Sequence, residues 1–365
     1  MNLSTIKRIA RRALMAALAT GLLLLGAATP VHAGAVLTWS KSCRLLAFCC
    51  DSGLYAVNTI YGGVTRLSGR AAVGVCSPDG HKVAWSEADG AYVYHSDSGS
   101  AAKVAESARV AGWSPDSRWV LLELSPPGQA SDIYAADASG GGLAPLAPNP
   151  AADRDPAWSP DGRWIAFASE RDNSRGAIWV VGWDGSHLTR ITSMFEAGDP
   201  AWSPDGKLLA FTGRLAAGSR RQVYCLDFGS SKLTAITSAA DGDCRAPEFV
   251  GTRYLRYRGT QPMLLDLRSG QRHKLPFGDL SPTGALVGAL SGSRGSLEMV
   301  SVKDGGRRAV DKGVEAAAWS PDGRWLAYLA LSPGPGRDMV RELRFASPQA
   351  KGVFVVWSEG VVGRR

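Results

Sequence analysis

Four segments of this chain align with one another without a gap, and each begins with Trp-Ser-Pro-Asp, followed in three of them by Gly. Weaker copies of the pattern lie before and between them. Their spacing is about 40 residues, which suits one four-stranded blade of a β-propeller. The first residues of the eight copies, which we call the anchors, are Trp39, Cys76, Trp113, Trp158, Trp202, Phe249, Leu280 and Trp319.

The unit that begins at Trp158 illustrates the chemistry of one repeat. Residues 159–162 read Ser-Pro-Asp-Gly, a turn in which Pro presets φ and Gly tolerates a positive φ. Segments 164–168, 177–181 and 188–192 are rich in β-branched and aromatic residues, and the approach to the anchor supplies one more strand. The pattern predicts a four-stranded antiparallel meander.

Each predicted sheet has two apolar faces, and both must be buried. One sheet cannot cover both faces by itself, so we expect the sheets to stack as blades around an axis. The first unit (35–67) and the last (315–357) each have room for four strands, which favours eight blades; exchange of a strand between the two ends would leave seven. We predict an all-β fold with a single propeller domain over residues 34–365. The residues expected to pack between blades are Trp113, Trp158, Trp202 and Trp319.

Residues 1–33 have the features of an export signal. A basic start is followed by the apolar run Ala13–Ala28 and by Val31-His32-Ala33, which fits a cleavage site. A membrane anchor is the alternative, but a spanning helix needs roughly 20 apolar residues, more than this run has. We predict a cleaved signal peptide, a periplasmic or secreted protein, and no stable membrane span after cleavage. The basic residues are Lys7, Arg8, Arg11 and Arg12.

Removal of this signal halves the net charge of the chain. The formal net charge is +8, and residues 1–33 hold four basic and no acidic residues, which leaves +4. A surplus that small, without a Lys/Arg block, does not support nucleic-acid binding.

The chain contains six cysteines. An oxidising compartment permits disulfides, but six cysteines allow 15 pairings. We favour Cys225 with Cys244, because both fall in one repeat and the loop after it; buried free thiols are the alternative. None has the spacing of a metal site. The six are Cys43, Cys49, Cys50, Cys76, Cys225 and Cys244.

The repeat resembles the propeller repeats of the TolB family, which are WD40-like and of the PD40 type. The resemblance rests on Trp-Ser-Pro-Asp-Gly followed by Arg or Lys, and it covers nearly all of residues 35–331. Further matching segments are the Asp-Pro-Ala lead-ins at 155–157 and 199–201, the loop at 168–172 and the Trp-Asp-Gly-Ser turn at 183–186.

This resemblance implies a periplasmic protein of a cell-envelope complex, whose propeller binds other proteins, among them a peptidoglycan-associated lipoprotein, and an extended peptide in its channel. The chain differs from TolB itself in two ways. The propeller begins directly after the predicted signal, without room for the α/β domain that precedes the TolB propeller, and the repeats outnumber the six TolB blades. We therefore expect a TolB-like propeller rather than TolB.

The repeated serines invite comparison with a catalytic nucleophile. Ser114, Ser159, Ser203 and Ser320 recur in every clear repeat, whereas a catalytic serine is a single residue beside a base. Neither Gly-x-Ser-x-Gly nor His-Glu-x-x-His occurs. We therefore expect the serines to form turns, and we do not expect an enzyme.

Four histidines remain after the signal, one in each of four repeats. Some propeller lyases and lactonases build metal sites from residues of several blades. The distribution of these histidines over four repeats therefore does not exclude a metal site. The neighbours of these histidines disfavour it, because turn positions and adjacent basic residues do not suit a metal ion. The four are His81, His95, His187 and His273.

Polar residues cluster just before the anchors Trp158, Trp202 and Phe249. Equivalent positions of successive blades lie around one opening of a propeller, so we expect these residues side by side in loops, forming an acidic rim with interspersed arginines. We call them the predicted rim: Asp153, Arg154, Asp155, Glu196, Asp199, Asp241, Asp243 and Arg245.

The predicted rim suits a basic or polar segment of a partner, and its arginines could form bidentate bonds with carboxylates. For Asp155 and Asp199 the alternative is a hydrogen bond to backbone amides in a tight Asp-Pro turn. A calcium site on Asp241 and Asp243 is a weaker alternative, because a third regularly spaced ligand is missing.

We therefore predict a monomeric scaffold of the cell envelope that binds a protein or peptide and needs no cofactor. The alternative function is a propeller enzyme of the lyase, lactonase or esterase type, with a metal held by acidic and histidine side chains of several blades.

Overall fold

The computed structural model describes residues 36–70, 72–172, 176–291, 295–334, 339–349 and 352–361. The predicted signal peptide lies outside the described residues. Those residues contain no helix long and apolar enough to cross a membrane.

The described residues form 32 strands and one short 3₁₀ turn, Ala239–Asp241. The strands of the first half are β1 (Val36–Trp39), β2 (Leu45–Cys50), β3 (Gly53–Asn58), β4 (Val64–Ser68), β5 (Gly74–Cys76), β6 (Lys82–Glu87), β7 (Gly90–His95), β8 (Ser100–Glu106), β9 (Ala108–Trp113), β10 (Trp119–Leu124), β11 (Asp132–Asp137), β12 (Leu143–Pro145), β13 (Asp153–Trp158), β14 (Trp164–Ser169), β15 (Ala177–Gly182) and β16 (Thr189–Arg190). Those of the second half are β17 (Phe195–Trp202), β18 (Leu208–Arg214), β19 (Gln222–Asp227), β20 (Lys232–Ala235), β21 (Arg245–Val250), β22 (Tyr254–Arg258), β23 (Pro262–Asp266), β24 (Arg272–Lys274), β25 (Gly278–Leu280), β26 (Leu286–Ser291), β27 (Ser296–Ser301), β28 (Arg307–Asp311), β29 (Val314–Trp319), β30 (Leu326–Pro333), β31 (Met339–Ala346) and β32 (Val353–Val361).

These strands form eight four-stranded sheets in the described part of the chain, each an antiparallel meander of consecutive strands. We number them blade 1 (β1–β4) to blade 8 (β29–β32). The predicted all-β, eight-bladed propeller is thus confirmed. Among the described strands, none is exchanged between blade 1 and blade 8, which removes the seven-bladed alternative.

The Ser-Pro-Asp-Gly turn joins the first two strands of a blade through its side chains. Ser159 Oγ donates to Asp161 Oδ1 (2.6 Å) and accepts from the amide of Trp164 (2.9 Å). The amide of Arg163 donates to the same Asp161 oxygen (3.1 Å), and Gly162 has φ of 70°. The hydroxyl therefore satisfies an amide at the start of the next strand. The same two serine bonds recur at Ser114, Ser203 and Ser320.

The anchors lie at or next to the end of the first strand of their blade, and several of them pack against the preceding blade. Trp202 is buried among Trp164 and Ile178 of blade 4 and Leu209 and Phe211 of blade 5. Trp158 lies in the same way between blades 3 and 4, and Trp319 between blades 7 and 8. Burying such an indole stabilises the contact by roughly 2–3 kcal/mol.

In some blades the polar atom of the anchor also joins neighbouring blades. Trp202 Nε1 donates to the carbonyl of Ala157, the residue before the preceding anchor, at 3.2 Å. In blade 2, where the anchor is a cysteine, Cys76 Sγ donates to the carbonyl of Thr38 at 3.4 Å. The thiol therefore makes the bond that an indole makes elsewhere.

Contacts divide the described residues into two compact units. One contains residues 84–93 and 101–274, and the other contains residues 36–83, 94–100 and 275–361. The single domain over 34–365 stays a prediction. The first strands of blades 3 to 6, and the segments before Trp158, Trp202 and Phe249 in which the predicted rim was placed, all lie in the first unit.

The favoured Cys225–Cys244 disulfide is not formed, and all six cysteines are free thiols. The amide of Cys244 donates to the carbonyl of Arg221 (2.8 Å), whereas Cys225 lies four residues further along the chain, on β19. Four residues of strand span about 13 Å, so the two cysteines are too far apart for a disulfide.

Candidate functional site

Most residues of the predicted rim lie on strands rather than in loops, which corrects the expectation from sequence. Asp153, Arg154 and Asp155 belong to β13, Glu196 and Asp199 to β17, and Arg245 begins β21. The first strands of blades 3, 4, 5 and 6 contact one another in succession. The strand therefore continues through the Asp-Pro segments that sequence reasoning read as loop.

A bulge explains how the strand continues. Asp155, Asp199 and Ala246 each stand three residues before an anchor and directly before a proline, and each has a positive φ of 49° to 53°. The strand register shifts at all three places. A non-glycine residue in this region costs about 1–3 kcal/mol and persists where its surroundings fix it.

Carboxylates link these bulges from blade to blade. The amide of Asp155 donates to Glu123 Oε1 of blade 3 (2.7 Å), and the amide of Asp199 makes a long bond to Asp155 Oδ2 (3.5 Å). Asp199 Oδ2 in turn accepts from Thr212 Oγ1 (2.9 Å). The predicted alternative, a hydrogen bond from a backbone amide to the carboxylate, is therefore correct in part for Asp155. The amide belongs to Asp199 on the next blade and not to the turn of Asp155 itself.

Arg154 and Asp155 face each other at this surface. Arg154 Nη1 lies 3.5 Å from Asp155 Oδ2, with about a third and a quarter of the side chains exposed. Gly198 of blade 5 leaves the space for them, because a Cβ there would lie 3.1 Å from Asp155 Oδ2 and 3.2 Å from Arg154 Nη1. Burial, together with the charge of Asp199, raises the pKa of Asp155 although Arg154 opposes it.

Glu196 lies between two arginines of its own blade. Its Oε2 accepts from Arg214 Nε (2.8 Å) and lies 3.5 Å from Arg221 Nη2. Asp243 is exposed, and its Oδ1 accepts from the amide of Arg221 (2.9 Å). These two carboxylates therefore remain reachable at the surface while being fixed in position.

Asp153 is fully buried, so the surface role expected for it does not fit its position. Its Oδ2 accepts from Arg171 Nη2 (2.6 Å), and Arg171 stacks over the rings of Phe167 and Trp179. Burial raises the pKa of Asp153 to about 6 despite this arginine. The pair holds the β13–β14 hairpin together and is not part of an accessible surface.

The carboxylate of Asp241 is engaged outside the first strands. Its Oδ1 pairs with Arg272 Nη1 of β24 (3.0 Å), and its Oδ2 accepts from the amide of Ser238 (2.8 Å). Its carboxylate is therefore paired with β24, the fourth strand of blade 6, while its carbonyl oxygen lies 3.8 Å from the Sγ of Cys244, directly before β21.

The residues that the structure brings together, which we call the first-strand surface, carry a balanced charge rather than an acidic one. Sequence reasoning named Arg154 and Arg245 but missed the other arginines of this surface, together with Glu123 and Glu248. Aligning the repeats would have found part of it, because Arg109, Arg154 and Arg245 each stand four residues before an anchor. The surface comprises Arg109, Glu123, Arg154, Asp155, Glu196, Asp199, Arg214, Arg221, Asp243, Arg245, Glu248, Arg256 and Arg258.

The serines and histidines considered in the sequence analysis take part in local contacts within the structure. Ser159 is buried within its turn. His81 Nδ1 lies 3.0 Å from Asp97 Oδ1, and His187 Nδ1 lies 2.6 Å from Ser186 Oγ. Among the described residues, no group of three or more His, Cys, Asp or Glu side chains has the arrangement to hold a metal ion.

Residues 74–278 match the family model described as the TolB beta propeller domain, PD40. No curated protein matches the chain.

Several solved structures resemble the chain. Dihydro-heme d1 dehydrogenase NirN is 14% identical, with a TM-score of 0.59, over 90% of this chain and 78% of that chain. The propeller domain of the Trilobed protease from Pyrococcus furiosus is 13% identical, with a TM-score of 0.51, over 89% and 96%. A putative TolB from Agrobacterium tumefaciens is 24% identical, with a TM-score of 0.43, over 55% and 79%. At these identities the first two likenesses show the fold alone.

Proposed function

Because the chain belongs to the TolB β-propeller family, we propose that it is an exported scaffold that binds a protein or peptide partner in the cell envelope. The observation that supports this proposal is the first-strand surface. Successive strands carry partly exposed carboxylates and guanidinium groups: Arg154 and Arg245 stand at equivalent positions, and Glu196 stands two residues earlier on its own strand.

Two physical features favour recognition there. The bulges at Asp155 and Asp199 fix the backbone in an unusual conformation, so binding orders few additional groups and loses little affinity to conformational entropy. The arginines present planar forks that suit carboxylates and backbone carbonyls of a partner.

We propose binding rather than catalysis, with no cofactor. Metal analysis of the purified protein tests this against the alternative of a metal-dependent propeller enzyme. One tightly held divalent ion per chain would overturn the scaffold proposal.

Export is part of the same proposal and has its own test. The protein recovered from the periplasm or medium is expected to begin at Gly34 when its N-terminus is sequenced. Recovery with the apolar run Ala13–Ala28 intact in the membrane fraction would contradict cleavage.

Cross-linking in the native envelope, followed by identification of the attached protein, tests partner binding. The triple variant Arg154→Ala, Glu196→Ala, Asp243→Ala is expected to lose the cross-linked partner. A control variant removes three exposed charges away from the first strands: Asp184→Ala, Lys207→Ala, Lys232→Ala. Circular dichroism must show both variants folded. Equal capture of the partner by the two variants would contradict the proposal that the first-strand surface is the binding site.

A further inference from the structure

Arg154 differs from its counterpart in the preceding blade in the residue that faces it across the sheet. In blade 3, Arg109 of β9 stands directly opposite Glu123 of β10, and its Nε and Nη2 donate to Glu123 Oε2 at 3.1 and 2.7 Å. In blade 4, Arg154 of β13 stands directly opposite Ala168 of β14, whose side chain has no polar atom. The guanidinium group of Arg154 is therefore not neutralised across its own sheet.

Two glycines leave the space in which the Arg154 side chain lies. A Cβ at Gly176 would lie 2.8 Å from Arg154 Nη2, and a Cβ at Gly198 would lie 3.2 Å from Nη1. The amide of Ala197, the residue before Gly198, donates to the carbonyl of Gly176 at 2.9 Å and so joins the two backbones. The guanidinium group is thus confined before a partner binds, which reduces the conformational entropy lost on binding.

The guanidinium group of Arg154 keeps most of its hydrogen-bond donors available. Its one polar contact in the described part of the chain joins Nη1 to Asp155 Oδ2, at 3.5 Å. An arginine has five N–H donors, and about a third of this side chain is exposed. Nε and Nη2 are therefore open to an acceptor from a partner.

Carboxylate acceptors lie beside these donors. Asp155 Oδ2 takes the contact with Arg154 and the long bond from the amide of Asp199, whereas Asp155 Oδ1 has no partner among the described residues. Burial raises the pKa of Asp155, and the charge of Asp199 adds to this effect, so the two acids lie close together. The place presents donors and acceptors side by side, with two carboxylates near one guanidinium group.

We propose that Arg154 and Asp155 together bind the side-chain amide of an Asn or Gln residue in the partner peptide or protein. The proposal rests on the proposed function and names the chemistry of the partner at this site. A carboxamide has a carbonyl oxygen that can accept from Arg154 and an NH₂ group that can donate to Asp155. Both hydrogen bonds have one charged member, which makes them stronger than bonds between neutral groups.

Other groups of a partner fit this place less well. A carboxylate would accept from Arg154 but would be repelled by Asp155 and Asp199, and an ammonium group would donate to Asp155 but would be repelled by Arg154. A trans peptide group carries its N–H and C=O on opposite sides, so it cannot meet a neighbouring donor and acceptor at once. The primary amide carries both on one side.

The first measurement is a titration of the purified protein with end-capped peptides Ser-Gly-Ser-X-Ser-Gly-Ser, followed by saturation-transfer NMR. The variable residue X is Gln, Glu, Lys or Met, and Met serves as the uncharged residue without an amide. The Gln peptide is expected to bind at least about tenfold more tightly than the other three, because each of them loses one or both charge-assisted hydrogen bonds. Absence of binding by the Gln peptide, or equal binding of all four, would overturn the proposal.

The second measurement removes one charge of the pair at a time. Arg154→Gln leaves the carboxylates without the guanidinium group, so the Lys peptide should become the tightest ligand. Asp155→Asn, at a φ of 53° that Asn tolerates, should raise the affinity for the Glu peptide about tenfold. The matched controls Arg268→Gln and Asp184→Asn make the same changes at exposed turn residues and should keep the wild-type order. An unchanged order in both site variants would show a purely structural pair.

The third measurement moves the pair without changing a charge. A Cβ at Gly198 would lie 3.1 Å from Asp155 Oδ2 as well as close to Arg154, so Gly198→Ala should displace the ends of both side chains. Affinity for the Gln peptide should fall about tenfold. The matched control is Gly142→Ala, where a Cβ would meet nothing within 4 Å. Equal affinity of these two variants would contradict the proposed geometry.

Circular dichroism must show each variant folded. If Arg154→Gln fails to fold, Arg154→Lys replaces it, because it keeps the charge but not the planar fork, and a loss of affinity for the Gln peptide is still required. Failure here is distinguishable from failure of the proposed function. An envelope partner captured through the first-strand surface, without preference for the Gln peptide, would leave the scaffold and remove only the amide site. Selective binding of the Gln peptide without a captured partner would do the reverse.

Discussion

The indole Nε1 of Trp39 donates to the carbonyl oxygen of Ala318 across 3.2 Å. Trp39 is the anchor of blade 1, and Ala318 precedes the anchor of blade 8, so the two ends of the chain repeat the bond between Trp202 and Ala157. The edge of Trp39 also meets the ring of Phe345, and apolar residues of both blades form one cluster. Side chains, rather than a shared strand, therefore join the first blade to the last.

The value of the anchor hydrogen bond can be measured by comparing two tryptophans. Trp202→Phe removes the bond to Ala157, whereas Trp158→Phe removes an Nε1 that has no partner in the described structure. Both side chains are equally buried, so the loss of apolar area is alike. We expect Trp202→Phe to lose about 1 kcal/mol more unfolding free energy in urea. Equal losses would mean that only packing matters.

The serine of the repeated turn is expected to matter for stability and not for binding. Ser159→Ala leaves the amide of Trp164 and one oxygen of Asp161 without the hydroxyl that joins them, at a cost of about 1–3 kcal/mol. Urea unfolding measures that loss. At a temperature where the variant is folded, it should still be cross-linked to the envelope partner. Loss of that cross-link in the folded variant would indicate that Ser159 has a role in binding.

Arg171 is expected to be a large contributor to stability because it neutralises a buried acid. Arg171→Met keeps much of the volume but leaves Asp153 buried without its cation, which should cost about 3–5 kcal/mol. The double variant Arg171→Met, Asp153→Leu removes the stranded charge and should recover part of that loss in urea unfolding. A double variant as unstable as the single one would contradict this account.

The blades could be predicted from sequence because the determinants are local. Ser-Pro-Asp-Gly encodes its turn within six residues, from the hydroxyl of Ser159 to the amide of Trp164, and the apolar strands beside it repeat in the same order. Eight copies of one pattern then specify eight sheets.

The site could be predicted only in part because its bonds cross between strands and blades. Asp153 looked accessible from its polar neighbours, but its partner Arg171 arrives 18 residues later, across a hairpin. Asp155 meets Glu123 and Asp199 only once three blades are side by side. Sequence alone therefore located the right segments, but it read them as loops and misjudged which charges remain exposed.

The buried carboxyl of Asp153 makes stability depend on pH in a defined direction. Its pKa is raised to about 6 by burial, above the ordinary value of about 3.9 in the unfolded chain. Between these values the folded protein holds a proton that the unfolded chain has lost. The stabilising contribution is therefore complete below about pH 4 and is lost as the pH rises through about 6.

Asp153→Asn provides the reference for this prediction, because it cannot titrate. Relative to the variant, the wild-type protein should lose unfolding free energy in urea between about pH 4 and about pH 7. A difference that is constant with pH, or that grows toward neutral pH, would show that the carboxyl does not titrate in this range.

The six free thiols give a chemical test of the blade geometry. Burial raises the pKa of Cys49 to about 11 and the pKa values of Cys76 and Cys225 to about 12, so few thiolates form in the native protein near pH 8. Native protein should therefore react slowly with iodoacetamide at those three sites. In denaturant without reductant, all six thiols should react. If only four thiols reacted, two cysteines would be joined in a disulfide, which would contradict the strand positions. Peptide mapping would then identify the joined pair.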